Sequence, residues 1–157
     1  MARALADRGR KRLYLVPPPR SHMYARHMIT GFSDEAAQKG VPFEIAESVT
    51  SDSGGEAIEV AVVARFAQPN PPDGLLLGST TAAMAAIAGV EASGRVLGRD
   101  FDVVAKEAIP LLRRFRQDIL IIREDVGRAG DFLARALLAQ IEKRDWPDRQ
   151  GLEVPVK

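Results

Sequence analysis

The chain has 157 residues, 46% of them hydrophobic and 27% charged, and a formal net charge of +1, which predicts one compact domain and disfavours a general nucleic-acid-binding surface. It contains no cysteine, which excludes disulfides, a thiol nucleophile and thiolate metal sites. Because no apolar run reaches membrane-spanning length and the N-terminus lacks the apolar core of a secretory signal, we expect a cytoplasmic protein without a membrane partner.

Hydrophobic periodicity divides the chain into short apolar runs that alternate with helical patterns. Gly9 and Gly40 end the first two helical patterns, and Ser21 is predicted to cap the second. This alternation predicts an α/β fold, a doubly wound and mainly parallel five-stranded sheet flanked by helices. In chain order, the predicted elements are a helix over 2–7, a strand over 12–16, a helix over 22–39, a strand over 43–46, a helix over 56–66, a strand over 74–77, a helix over 81–93, a strand over 101–105, a short element over 111–115, a strand over 119–122 and a helix over 126–143.

Two of the predicted strands end in polar tips. Ser79 and Thr80 follow the third strand, and Lys106 and Glu107 follow the fourth. In open α/β sheets, ligands bind at the carboxyl ends of the strands. These tips are therefore candidate ligand-binding positions.

Four segments, in their order and spacing, resemble the effector-binding core of lactose-repressor (LacI/GalR) family transcription regulators. The resemblance implies that residues 1–157 form the C-terminal part of the effector-binding domain. We therefore expect the DNA-binding headpiece and the N-terminal half-domain of such a protein to be absent from this chain. The four segments are residues 5–13 (LADRGRKRL), 25–32 (ARHMITGF), 72–77 (PDGLLL) and 126–129 (VGRA).

The function implied by the resemblance is that of the ligand-sensing and dimerisation portion of a transcription regulator. Its expected partners are a small-molecule effector, a carbohydrate or a derivative of one, and a second copy of the chain. Contact with DNA is expected only through the missing headpiece, and no cofactor or metal is expected. Effector binding between the two half-domains would then change operator binding, because the two affinities are coupled.

The resemblance also places five residues at the effector site: Tyr24, Met28, Val49, Ser79 and Glu107. Several of them depart from the family pattern. Met28 replaces an arginine that grips a sugar hydroxyl, Ser79 falls where the family has an asparagine, and Val49 falls where an aromatic residue often lies under the sugar ring. The site has thus lost multi-donor groups, and Tyr24 becomes the candidate ring platform.

Each candidate also has a purely structural interpretation. Glu107 could be a solvated carboxylate at the end of a strand that pairs with Lys106, and Ser79 could cap the following helix. Tyr24 and Met28 could serve in packing, and His22 is interpreted as a surface imidazole.

A homodimer interface is predicted on two elements. Met84 and Ile87 belong to an apolar stripe on an alanine-rich helix. Leu111, Leu112 and Phe115 lie on the short element after Glu107. In the family these two elements meet their symmetry mates, so an isologous contact is expected, although the stripe could also pack on this chain's own sheet.

The last strand and helix pose a packing problem, because the resemblance places the final helix on the other half-domain. That helix carries an apolar set that includes Phe132, Leu133 and Leu137. Exposure of such a face costs about 25 cal/mol per Å². We expect the strand and helix to be buried against a second copy rather than on their own sheet.

Two other functional classes stay open. A periplasmic solute-binding protein shares this half-domain fold, and a helix-turn-helix encoded upstream would exclude it. A small α/β enzyme could use Lys106 and Glu107. However, His22 and His27 lack a zinc-protease spacing, and there is no nucleophile elbow, phosphate loop or dinucleotide fingerprint. No enzymatic function is therefore expected.

Overall fold

The fold is an open parallel sheet with helices on both faces. The structure, a computed structural model, describes residues 1–107 and 110–145. Among these residues, no helix is both long enough and apolar enough to cross a bilayer. In chain order the elements are α1 (Ala2–Asp7), β1 (Leu13–Val16), α2 (Met23–Gln38), β2 (Phe43–Ile45), α3 (Gly55–Phe66), β3 (Gly74–Leu77), α4 (Thr80–Ala92), β4 (Asp102–Glu107), α5 (Leu112–Phe115), β5 (Leu120–Arg123) and α6 (Val126–Ile141).

All five strands run parallel in the order β2-β1-β3-β4-β5. The predicted α/β fold is confirmed, and the sheet is wholly rather than mainly parallel. The first crossover leads outward to β2 and the next one to β3 on the other side of β1, so the topological switch point lies between β1 and β3.

Two apolar clusters lie on the two faces of the sheet. One packs α3 and α4 against residues such as Val103 and Leu75, and the other packs α1 and α2 against residues such as Val104 and Leu76. Neighbouring residues of one strand therefore serve different clusters, as the two-residue period of a strand requires. The central strands β1 and β3 are apolar and buried throughout because both faces of the sheet are covered there.

Two local predictions are wrong. Ser21 does not cap α2, because His22 occupies the cap position and no side chain caps the helix there. β4 extends two residues beyond the predicted end, through Lys106 and Glu107. The reason is tertiary: β5 pairs with this end of β4, with Lys106 opposite Ile122 and Glu107 opposite Arg123.

The final strand also differs from the prediction that it would leave its own sheet. β5 pairs in parallel with β4, and Ile121 packs against the cluster under α3 and α4. Strand exchange is therefore wrong for β5. The helix that follows is different, because Leu133 and Leu137 of α6 are 66% and 62% exposed, and neither core cluster includes a residue of α6 among the described residues.

The short helix α5 is attached to the end of β4 by a buried carboxylate. Glu107 is only 1% exposed, and its Oε1 atom accepts hydrogen bonds from the backbone N–H groups of Leu111 (2.6 Å) and Leu112 (2.5 Å). The first N–H groups of a helix have no partner within the helix, so this carboxylate satisfies two of them. Position and orientation of α5 thus depend on Glu107.

Gly89 permits close packing of α3 on α4. A Cβ atom at this position would lie 2.6 Å from Glu59 Cγ and 2.8 Å from Val63 Cγ2. We expect Gly89→Ala to lower the free energy of unfolding by about 1–3 kcal/mol, because the two helices must separate. Gly31→Ala is the matched control, since nothing lies within 4 Å of the added methyl group, and it should raise stability by about 0.5–1 kcal/mol. Urea unfolding measures both, and equal effects would contradict the close contact.

Removal of the α5 cap should also be measurable by urea unfolding. We expect Glu107→Ala to destabilise the domain by about 2 kcal/mol or more, because two buried N–H groups lose a charged acceptor. Glu107→Gln keeps an acceptor oxygen and should lie closer to the wild type. The exposed Glu47→Ala serves as control and should change stability by about 0.5 kcal/mol or less. If Glu107→Ala matches this control, the capping role is wrong.

Candidate functional site

The candidate site is the edge of the sheet where the carboxyl ends of the strands meet. Backbone hydrogen bonds join the segments that follow these strands. Gly78 N–H donates to Val16 O (3.2 Å), Ser51 N–H donates to Pro17 O (2.8 Å), and Glu124 N–H donates to Glu107 O (3.1 Å). The segments after β1, β2, β3 and β5 are therefore held at one edge.

Gly78 allows three of these segments to approach each other. A Cβ atom there would lie 3.2 Å from Ser51 Cβ and 3.3 Å from both Pro18 Cδ and Pro18 N. Two of these neighbours belong to a rigid proline and cannot easily move. The backbone segments around Gly78 are thus closely packed, with no open space between them.

Ser79 is largely occupied by contacts within the chain. Its Oγ atom accepts from Ala82 N–H (3.2 Å), which caps α4, and donates to Ser51 O (3.3 Å). The capping interpretation of Ser79 is confirmed. With its only O–H donor used, Ser79 could offer an effector no more than a remaining acceptor lone pair.

Glu107 and Lys106 do not pair with each other, contrary to the structural interpretation of Glu107. Successive side chains of a strand point to opposite faces, so Glu107 is directed to α5 while Lys106 lies on the side of α2. Among the described residues, the buried Oε2 atom of Glu107 has no hydrogen-bond partner. The Glu107 carboxylate is accordingly enclosed by its own chain.

A cluster at the edge joins Lys106 to α2 and to the segment after β5. Lys106 Nζ lies 2.9 Å from Glu124 Oε1 and 4.2 Å from the centroid of the Tyr24 ring. The Tyr24 ring stacks on His22, with 5.5 Å between centroids and an interplanar angle of 15°. We call His22, Tyr24, Lys106 and Glu124 the Lys106 cluster.

The other two predicted effector residues pack into the apolar clusters. Val49 is buried in the core cluster under α3 and α4. Met28 is half-buried against the opposite cluster and lines a crevice with Ala2, Phe32 and Leu76 on the face of the sheet. Of the five predicted residues, Val49 and Met28 thus serve the apolar clusters, whereas Tyr24, Ser79 and Glu107 lie at the edge or next to it.

The predicted interface residues divide into an exposed and a buried group. Phe115 is 73% exposed, and Met84 and Leu111 are also exposed, whereas Ile87 and Leu112 lie in this chain's own core. An ion pair connects the two elements, because Arg116, directly after α5, donates to the Glu91 carboxylate at the end of α4. This hydrogen bond lowers the pKa of Glu91.

Sequence reasoning missed Glu124. No motif marks it, and its role depends on the pairing of β5 with β4, which sets the segment after β5 beside Lys106. A signal that could have found it is the alternation of side-chain direction along β4. This alternation places Lys106 and Glu107 on opposite faces, so the ion-pair partner of Lys106 must be a different carboxylate.

A crevice of about 620 Å³ lies away from this edge. It is formed by α1 and the β4–β5 face of the sheet, with Val104, Leu120 and Ile122 among its lining residues. Arg3 and Glu35 at its rim already pair with each other at 2.7 Å. Within the described part of the chain, no group of three or more histidine, aspartate or glutamate side chains could hold a metal ion. Other polar residues that line the crevice are also paired within the chain, Arg8 with Asp102 and Asp7 with Lys39.

Nearly the whole chain is similar to known proteins. The model of the periplasmic binding protein-like domain family matches residues 2–157. The HTH-type transcriptional regulator AglR of Rhizobium meliloti (strain 1021) is 25% identical over 158 residues, which cover 95% of this chain and 43% of that protein. The chain therefore spans less than half the length of this relative.

Solved structures share the same fold. A LacI family transcriptional regulator from Bifidobacterium animalis subsp. lactis DSM 10140 has a TM-score of 0.84 at 15% identity, over 99% of this chain and 56% of that one. A LacI family regulator from Enterococcus faecium with bound ribose has a TM-score of 0.74 at 17% identity, over 95% of this chain and 54% of that one. These relatives are named as regulators rather than enzymes, in agreement with the prediction. The chain belongs to the periplasmic binding protein-like domain family, and its predicted resemblance to the effector-binding core of lactose-repressor-family regulators is confirmed.

Proposed function

We propose that the chain is the ligand-sensing and dimerisation portion of a cytoplasmic LacI-family transcription regulator. The observation that carries the proposal is the convergence of polar side chains at one edge of the sheet, next to the topological switch point, in a chain matched by the family model over residues 2–157. The effector is a carbohydrate or a derivative of one. The ribose-bound regulator with the same fold supports this class of ligand.

In the intact protein, the effector would bind between this edge and a second half-domain. The exposed apolar face of α6 supports such an arrangement, because it offers a surface that the rest of the described chain does not cover. Effector binding would favour closure of the two half-domains and so change the affinity of the DNA-binding headpiece for its operator. DNA binding is assigned to that headpiece and not to the residues of this chain.

A periplasmic solute-binding protein is the alternative. The similar protein AglR is named as an HTH-type transcriptional regulator, which favours the regulator. A gene that encodes a helix-turn-helix in frame before this segment would decide for the regulator, whereas an exported protein would decide for the alternative.

The half-domain alone should bind common neutral sugars only weakly. Met28 and Val49 pack into the apolar clusters, Ser79 is hydrogen-bonded within the chain and Glu107 is buried. Few hydrogen bonds to a sugar therefore remain, each with a net value of about 0.5–1.5 kcal/mol. We expect calorimetry with D-glucose and D-ribose to give dissociation constants weaker than micromolar. Micromolar affinity for either sugar would contradict this assignment of the edge residues.

Self-association should depend on the exposed residues of α4 and α5. We propose an isologous homodimer in which Met84, Leu111 and Phe115 contact the partner, while Ile87 and Leu112 support them from the core. Sedimentation velocity at high concentration should show a dimer. Phe115→Ser should shift it to the monomer, because a large exposed aromatic side chain is lost from the proposed contact.

Two further variants separate the possible surfaces. Val60→Ser alters an exposed apolar residue on α3 and should leave the dimer intact. Leu137→Ser tests the burial of α6 against a second copy. A wild-type monomer would contradict the dimer, and a dimer that is lost with Leu137→Ser but kept with Phe115→Ser would place the contact on α6 instead.

A further inference from the structure

We propose that Lys106 and Glu124 together form a clamp for a hydroxyl group of the effector, and that Tyr24 holds the lysine in position. The inference rests on the proposed function and names the groups that would recognise a neutral polyol. Lys106 Nζ and Glu124 Oε1 lie 2.9 Å apart, and their side chains are 20% and 36% exposed. The pair is thus partly desolvated but still open to a ligand.

The chemistry of the pair matches that of a sugar hydroxyl. A hydroxyl group both accepts and donates, and the clamp offers the two complementary groups side by side. The Lys106 ammonium has three N–H donors, so it can donate to the hydroxyl oxygen while the hydroxyl donates to the Glu124 carboxylate. Such charge-assisted hydrogen bonds are stronger than those between neutral groups.

Tyr24 makes the clamp rigid before a ligand arrives. The Tyr24 ring contacts the Lys106 ammonium, and the same ring is stacked on His22. A lysine side chain otherwise loses considerable rotamer freedom on binding, and a cation–π contact reduces that loss. Tyr24 is therefore a positioning residue, rather than the free ring platform expected from the sequence.

The charges at the clamp favour a neutral polyol over a phosphorylated or carboxylated ligand. Glu124 already neutralises Lys106, and its carboxylate would repel an anion that approached the ammonium. The other residues expected at this edge offer a ligand little: Ser79 caps α4, and Glu107, which caps α5, is buried. The clamp thus supplies the donor and the acceptor that these residues do not.

The clamp also joins three elements. Tyr24 lies on α2, Lys106 on β4, and Glu124 in the segment between β5 and α6. A ligand held by the clamp contacts the connection to α6, the helix whose apolar face is exposed.

An NMR titration of the full chain tests the clamp at the weak affinities expected. The probes are D-glucose, D-ribose and their monodeoxy forms, followed through backbone amides and the Lys106 side chain. In the wild type, we expect shifts in the Lys106 cluster and several-fold weaker binding of one deoxy sugar. Lys106→Met and Glu124→Gln should each bind the parent sugar about tenfold more weakly and should no longer distinguish it from that deoxy sugar. A merely structural role would not remove this discrimination.

Lys39→Met is the matched control, because Lys39 forms an ion pair with Asp7 at the opposite end of α2 (2.7 Å) and should leave sugar binding unchanged. If sugars shift only the residues around Ser51 and Ser79, and Lys106→Met binds as the wild type does, the clamp is wrong while carbohydrate binding stands. Tighter binding of glucose 6-phosphate than of glucose would make Lys106 an anion site and overturn the proposal. If no probe shifts any residue of the edge, both the clamp and carbohydrate binding by this half-domain are contradicted.

Discussion

The pairing of β5 with the end of β4 is the interaction on which the candidate site depends. It extends β4 through Lys106 and Glu107, which would otherwise be loop residues. Once both belong to a strand, their side chains must point to opposite faces of the sheet. Glu107 is therefore enclosed under α5, and Lys106 remains at the carboxyl edge of the sheet beside α2.

The pairing of β5 with β4 also gives the neighbouring residues Glu107 and Lys106 different roles. Glu107 fixes α5, which carries the exposed Phe115, whereas Lys106 connects α2 with the segment before α6. The edge and the proposed dimer surface thus meet at two adjacent residues of β4. Lys106 is adjacent to Glu107 in one strand, so a ligand bound at Lys106, as proposed, would act close to the support of α5.

β5 and α6 follow each other along the chain, but the rest of the chain covers them to different extents. β5, at the edge of the sheet, pairs with β4 on one side and partly buries Leu120, Ile121 and Ile122 on the sheet of its own chain. α6 satisfies its backbone internally and needs no neighbour for its hydrogen bonds, so its leucines can remain exposed until another surface covers them. A second half-domain or a second copy would supply that surface.

The sequence by itself determined the element order, the parallel sheet and the family, because these follow from local periodicity and from motifs such as ARHMITGF. It also indicated the cap of α4 by Ser79 as one of two interpretations, since a cap involves only neighbouring residues. Tertiary structure alone decided that Val49 enters the core, that Ile87 is buried while Met84 is exposed, and that Glu124 rather than Glu107 neutralises Lys106. The physical reason is that these outcomes depend on which strand lies beside which and on the face that each side chain occupies, and neither is encoded in local spacing.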